Sequence, residues 1–290
     1  MAPLDLQAEV ARFQADLPIE RAWMPPSSWY TSPDVHQLEQ AAVFTRAWQP
    51  VARLADLEQP GSFTSGCLAG QPWVVVRAKD GDLHAFHNTC RHKGREVVQG
   101  SGQADELVCG YHAWTYDLSG RLSSAPQMAG VQEFDRERMS LPPISVAAWG
   151  MWVFIHLGED PVPLEEHLSG LDTALGDPPW SALRYSREKT WTLECNWKVV
   201  CDNYLDGGYH IPHMHPSLDA QLDMEAYRTE LFDTFSIQTA PPSRTKDERI
   251  DFDASERIGD AARYAWIYPN LMLNRYGPCL DSNLVVPLGP

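Results

Sequence analysis

The sequence has no long apolar run. Its longest apolar stretch, Val146 to Leu157, is interrupted by Gly150 and His156 and falls short of the roughly 20 residues a membrane-spanning helix needs. The start, MAPLDLQAEVARFQADL, has neither the basic-then-apolar order of a secretory signal nor the Arg/Ser-rich, acid-poor texture of a transit peptide. Basic residues are scarce. With 23 Lys and Arg against 39 Asp and Glu, the formal net charge is −16. That argues against a broad basic face for nucleic acid and reads as a solvated acidic surface. Six cysteines in 290 residues do not make the disulfide framework of a small secreted domain. They are expected as ligands or buried thiols in a reducing, cytoplasmic setting. Neither internal repeats nor low-complexity tracts occur.

What is present is a change of texture along the chain. Residues 1–44 read as helix, a Pro/Ser loop (PPSSWYTSPD) and a second helix that Ser32 or Asp34 caps. From Trp48, short apolar runs alternate with Gly, Asp and Asn turns: Trp73–Val76, Leu83–Phe86, Leu107–Val108, Met151–Ile155. This predicts a small all-β domain, with hairpin turns at KDGD (79–82) and DLSG (117–120). Residues 160–180 are Pro-rich and acidic, with a short helix expected over Leu164–Leu175. Strands are then expected at WTLECNWKVV, Phe232–Ile237, Tyr264–Trp266 and Leu284–Val286, with one helical segment among them.

Two histidine-containing constellations stand out. The first is CRH at 90–92 and CGYH at 109–112, sixteen residues apart. Each loop offers one thiolate and one imidazole, whereas a C2H2 zinc finger pairs Cys with Cys and His with His. The interleaved order suits a cluster in which two Cys hold one iron and two His the other. Cys90 and Cys109 would take the inner iron, His92 and His112 the outer. A structural zinc site or two unrelated turns are the competing readings. Gly94 and Gly110 suit tight loops, and Trp114 and Tyr116 would form a hydrophobic cover.

The second constellation is NWKVVCDNYLDGGYHIPHMHPSL, 196–218. His210 and His215 are five apart, a rotation of about 500° on a helix, so an undistorted helix would not present them together. Pro212 removes a helix hydrogen bond between them, and a kink there would let both imidazoles meet. With one carboxylate they would form the facial triad that leaves open positions on Fe(II). A zinc patch or surface histidines are the alternatives.

The chain resembles the Rieske non-haem iron oxygenases, whose pattern is C-x-H, a spacer, then C-x-x-H-G-W. Here it reads CRHKG and CGYHAW, departing at Lys93, Gly110 and Ala113. CDNYLDGGYHIPHMH, YAWIYPNLMLNRYGP and NLVVPLGP look most like choline monooxygenase and related quaternary-ammonium oxygenases. The resemblance implies an α+β fold: an N-terminal helical segment (1–44), an all-β Rieske [2Fe-2S] domain (45–158), and an antiparallel-sheet helix-grip catalytic domain (159–290). It implies a [2Fe-2S] cluster and a mononuclear Fe(II) held by His210 and His215, with His213 a neighbouring or surface residue. It also implies O2 and a small-molecule substrate, a ferredoxin or NAD(P)H-dependent flavin reductase, a homotrimer, and no nucleic-acid or membrane partner. An aromatic cage for a trimethylammonium group would draw on Tyr204, Tyr209, Trp266, Tyr268 and Tyr276.

Two departures matter. The family's third iron ligand is a carboxylate on a late helix, and the chain stops at Pro290; a C-terminally truncated domain is therefore expected. Asp202, Asp206, Asp219 and Asp223 are not at that position. Many relatives also carry an acid three residues before the first iron His to bridge subunits. Here that residue is Gly207, which makes Asp206 the candidate bridging acid, with Asp202 and Asn203 of the same run as further catalytic candidates. Three functions compete: a quaternary-ammonium monooxygenase, an aromatic ring-hydroxylating or demethylating oxygenase, and a catalytically incomplete electron-transfer or assembly subunit.

Overall fold

The computed structural model describes residues 4–244 and 247–290. The chain forms two compact units. One gathers the N-terminal residues through Glu39 with Leu168–Pro290, and the other is Gln40–His167.

The N-terminal residues carry three short helices, α1 (Leu6–Val10), α2 (Ser28–Thr31) and α3 (Pro33–Glu39). Of the two capping candidates for α3, Ser32 fills the role: its hydroxyl accepts from the Asp34 amide at 3.3 Å. Pro33 then starts the helix where no amide partner is needed.

The Gln40–His167 unit opens with a π-type turn (Gln40–Phe44) and continues in strands. These are β1 (Gln49–Arg53), β2 (Ser62–Leu68), β3 (Gln71–Arg77), β4 (Leu83–His87), β5 (Ser101–Gln103), β6 (Leu107–Val108), β7 (Thr115–Tyr116), β8 (Leu122–Ser124), β9 (Pro143–Trp149) and β10 (Trp152–His156), followed by α4 (Leu164–His167). A seven-stranded antiparallel sheet runs β1-β10-β9-β4-β3-β2-β5, beside a three-stranded sheet β6-β7-β8. Strand β3 explains why the unit needs both layers. Its side chains alternate faces: Val74 and Val76 enter one core with Cys90, Cys109, Trp114 and Tyr116, while Trp73 and Val75 enter another with Leu57, Val153 and Ile155. A run apolar at consecutive positions is what a strand covered on both sides requires. KDGD turns β3 into β4. DLSG turns β7 into β8, where the Asp117 carboxylate accepts from the Ser119 and Arg121 amides at 2.9 and 3.0 Å.

The other unit continues from the N-terminal helices with α5 (Leu171–Ala174), α6 (Trp197–Tyr204), α7 (Ile211–Met214) and α8 (Pro216–Asp219). Strands β11 (Arg228–Leu231) and β12 (Phe235–Ala240), helix α9 (Ala254–Ile258), and strands β13 (Ala262–Ile267), β14 (Leu271–Tyr276) and β15 (Cys279–Leu284) complete it. The five strands form an antiparallel meander in sequence order. β12 is buried along its whole length, whereas β11 on one edge is exposed throughout.

Four expectations need correction. The strand expected at Leu284–Val286 is Cys279–Leu284 and stops where that run begins. WTLEC is not a strand: Trp191 and Leu193 stand 64% and 59% exposed with no sheet partner. Asn196 then starts α6, its side chain accepting from the Lys198 amide at 3.0 Å. Apolar alternation is necessary for a strand, but a strand also needs a neighbour for its amides. The helix expected over Leu164–Leu175 is two short ones, divided at Gly170, which adopts φ +84°. The run Phe232–Ile237 contains the turn between β11 and β12, closed by the Phe232 amide on the Phe235 carbonyl at 2.9 Å.

Candidate metal centres

The first site lies at the tips of two loops in the Gln40–His167 unit. Loop 88–98 is pinned by buried Asn88, whose carboxamide accepts from Val97 and Val98 amides and donates to the Val98 carbonyl at 2.7 Å. The Cys90 amide donates to the Arg95 carbonyl, and Gly94, at φ +74°, closes the turn by donating to the Cys90 carbonyl. The second loop repeats this: the Cys109 amide bonds the Trp114 carbonyl, and the Ala113 amide bonds the Cys109 carbonyl at 3.0 Å. The glycine expected to carry the strain of this loop does not. Gly110 has open space around it. Ala113 takes the left-handed conformation instead, at φ +57°.

Both thiols are buried, Cys90 4% and Cys109 2% exposed. The two imidazoles meet at 4.6 Å between ring centroids, and His92 stacks flat on Trp114 at 4.9 Å. His92 Nδ1 is buried without a hydrogen-bond partner. Burial, then His112, then Lys93, holds this ring below the ordinary histidine range, in the neutral form a metal takes. The Tyr116 hydroxyl lies 3.4 Å from Cys90 Sγ and accepts from the Arg91 amide at 3.0 Å. Burial and the Cys90 contact push its phenol well above the usual range, so it stays a donor toward a thiolate. Tyr116 is thus more than a cover.

Two thiols, two imidazoles and one orphaned nitrogen fit an iron–sulfur cluster. Among the described residues no three His, Cys, Asp or Glu side chains gather round a single ion position. A cavity of about 280 Å³, lined by His92, His112, Pro126, Gln127 and Met128, opens over the imidazoles.

The second site follows α6. Gly207 and Gly208 both adopt left-handed conformations, φ +72° and +80°. A Cβ on Gly208 would come within 2.8 Å of the Tyr227 ring. The kink expected at Pro212 is absent: Pro212 lies in the first turn of α7, and helical bonding runs from His210 to His215. His215 then leaves the helix at φ −131°, ψ 60°, and the two rings stand 5.2 Å apart between centroids, nearly perpendicular. Asp206 Oδ2 accepts from His210 Nδ1 at 2.7 Å and from the His210 amide at 3.1 Å, while Oδ1 accepts from Gly208. A carboxylate acceptor places the proton on Nδ1 and leaves Nε2 for a metal. Among the described residues no carboxylate joins the two histidines as a third donor. Asp202 accepts from the Tyr30 hydroxyl at 2.7 Å. Asn203 is exposed on α6, and His213 is exposed on α7 beside Tyr209.

The aromatic candidates divide. The Tyr204 hydroxyl is committed to the Ala265 and Leu273 carbonyls and to Asn274. Tyr276 already carries a cation, with the Arg257 guanidinium 4.5 Å from its ring. Tyr209 is 80% exposed. Trp266 and Tyr268 meet edge to face at 5.9 Å. Tyr227 and Tyr264, which the sequence did not single out, join Tyr204 and Tyr276 in the core that contains Ile211.

Two family models cover the segments that hold the constellations. Residues 47–135 match the Rieske [2Fe-2S] domain, and 181–290 the catalytic domain of ring-hydroxylating alpha subunits. The chloroplastic choline monooxygenase of Arabidopsis thaliana is 41% identical over 99% of this chain and 69% of its own length. The chain belongs to the Rieske non-haem iron oxygenases. That family's two cofactors are the [2Fe-2S] cluster and the mononuclear iron. The carnitine monooxygenase oxygenase subunit of Acinetobacter baumannii is 30% identical over 87% of this chain and 68% of its own length. A crystal structure of a quaternary ammonium Rieske monooxygenase with L-carnitine superposes with TM-score 0.77 at 30% identity, over 92% of this chain and 72% of that one. A Rhodococcus naphthalene 1,2-dioxygenase shares the fold, with TM-score 0.79 at 21% identity over 100% of this chain and 75% of that one. The chain spans 64% of the length of the Beta vulgaris choline monooxygenase. Among the described residues no helix is long and apolar enough to cross a membrane.

Proposed function

We propose that this oxygenase hydroxylates a small quaternary ammonium compound, choline or a betaine, with O2 and NAD(P)H-derived electrons from a ferredoxin or flavin reductase, and that it works as a homotrimer. The observation that carries the reading is the pairing of His210 with His215, set by Asp206, in a chain 41% identical to a choline monooxygenase. Cys90 and Cys109 hold the inner cluster iron, His92 and His112 the outer one, and His210 and His215 the mononuclear iron.

When bound, the cluster supplies single-electron transfer and the mononuclear iron supplies oxygen activation. The balance is R–CH3 + O2 + 2 e⁻ + 2 H⁺ → R–CH2OH + H2O, and a carbon beside nitrogen or oxygen gives an unstable hemiaminal or aldehyde hydrate. The protein contributes position and polarity. Asp206 keeps the proton on Nδ1 of His210. Tyr116 donates toward Cys90 Sγ, and Trp114 shields His92 from water. Recognition of a trimethylammonium group falls to Trp266 and Tyr268, which meet edge to face and leave ring faces open for cation–π attraction, the Trp266 N–H being held by the Pro269 carbonyl. The Tyr276 ring face already carries the Arg257 guanidinium.

The test is substrate-dependent O2 uptake with ¹⁸O2 labelling, run on choline, glycine betaine and naphthalene alongside metal analysis. Label in a choline or betaine product, with iron above the cluster's own content, supports the reading. Turnover of naphthalene alone would replace it with ring hydroxylation. Iron confined to the cluster would leave an electron-transfer subunit.

A further inference from the structure

Lys198 and Asp202 are four residues apart on α6 (Trp197–Tyr204), so they lie on one face of that helix. Both are gripped by the N-terminal helices. Lys198 Nζ is 2.5 Å from Glu39 Oε1, and both side chains are about nine-tenths buried. The other Glu39 oxygen accepts from Trp197 Nε1 at 2.9 Å. The Lys198 ammonium also sits 5.3 Å from the centre of the Tyr30 ring and 5.2 Å from that of Trp197. The Tyr30 hydroxyl donates to Asp202 at 2.7 Å. Tyr30 therefore touches both gripped residues, one through its ring and one through its hydroxyl.

The mechanical link to the metal pair is short. Backbone bonding continues past the end of α6, with the Leu205 amide on the Cys201 carbonyl at 2.9 Å. Asp206 follows at once, and its carboxylate orients His210. Only four residues of chain, the last turn of α6 and its C-terminal cap, separate the residue Tyr30 holds from the residue that holds His210.

We propose that Tyr30 is a positioning residue for the His210–His215 metal pair, acting through Asp202 on helix α6. The inference rests on the assignment of that pair to the mononuclear iron. Its alternative is that the Tyr30–Asp202 bond only fastens the N-terminal helices.

Tyr30→Phe separates the two. It keeps the ring over Lys198 and deletes only the hydroxyl. The readouts are Fe(II) affinity of the full chain beyond its cluster content, the EPR spectrum of the ferrous nitrosyl adduct made with nitric oxide, and the EPR spectrum of the reduced cluster. Tyr30→Phe is expected to weaken Fe(II) binding about tenfold, the scale of a lost partner behind a metal ligand. It should also alter the nitrosyl spectrum and leave the cluster spectrum unchanged. Asp202→Asn, which keeps an acceptor oxygen for Tyr30, should bind Fe(II) within about twofold of the parent; Asp202→Ala should behave like Tyr30→Phe. If Tyr30→Phe does not fold, the Asn/Ala contrast at Asp202 decides alone. Unchanged affinity and nitrosyl spectrum in Tyr30→Phe, or equal affinities in the two Asp202 variants, overturn the inference and leave the iron assignment standing. A parent chain that takes up no iron beyond its cluster, or a His210→Ala variant that binds it equally, overturns both.

Discussion

A single hydroxyl tunes the first site. Tyr116 places its O–H 3.4 Å from Cys90 Sγ, and hydrogen bonds to cluster sulfurs stabilise the more negative, reduced state. Tyr116→Phe should therefore lower the reduction potential by roughly 50 mV, the one-electron equivalent of about 1 kcal/mol. Protein-film voltammetry reads it directly, and an unchanged potential would mean the phenol does not feel the cluster's charge. Ala113 offers a different check. Its left-handed φ of +57° costs a non-glycine residue about 1 kcal/mol, partly offset by the extra freedom glycine brings to the unfolded chain. Ala113→Gly should stabilise the protein by about 0.5 kcal/mol in denaturant titration. A loss of stability would show that the alanine methyl packs usefully.

Elements show how local rules and pairing share the work. Helix α6 begins where Asn196 caps it, inside a run whose apolar texture reads as strand, and it ends at Tyr204, shortly before Gly207 and Gly208 turn left-handed. The sheet is only partly legible in the sequence. Turn residues mark its hairpins, but Phe232 reads as strand and turns out to be loop, and Trp191 and Leu193 alternate correctly without a strand to join. A pH test belongs at this scale. Asp260, just before β13, is held down to about 2 chiefly by its bond to Arg263. A carboxyl depressed in the folded state stabilises above its unfolded value near 3.9 and loses that contribution as pH falls through the folded value. With the Asp260 side chain 76% exposed, the pair contributes only about 0.5 kcal/mol after screening. Asp260→Asn should be less stable by that amount at pH 7 and equal to the parent near pH 2. A difference that persists at pH 2 would exclude the ion pair as its source.

For the whole molecule, the two sites differ: the His210–His215 pair lies in one short run, whereas the first site needs two separate loops to meet. Strands β6 and β7 pair Val108 with Thr115 at the base of one candidate cluster loop, and Asn88 straps the other. Folding energy and cluster binding are therefore linked. Removing the cluster with a chelator under reducing conditions should lower the stability of the Gln40–His167 unit by at least about 2 kcal/mol, roughly 10 °C in melting for a domain of this size. Amide exchange should rise at 88–98 and 107–116. Melting unaffected by cluster loss would mean the loops stand without it.

The residues themselves marked the four candidate cluster ligands, the loops that carry them and the histidine pair. Ligand type, spacing and turn chemistry act over a few positions and survive in the one-dimensional record. The sequence suggested that His210 and His215 meet but gave a kink at Pro212 as the cause; the structure instead keeps helical bonding through Met214 and turns His215 out of the helix at its end. Sequence alone could not reveal that Tyr30 reaches Asp202, that Glu39 buries against Lys198, or that Tyr227 and Tyr264 join Tyr204 beside Ile211. Those contacts join residues far apart in the chain. Which distant groups become neighbours is decided by strand register and helix docking, where burial of apolar surface outweighs any local preference.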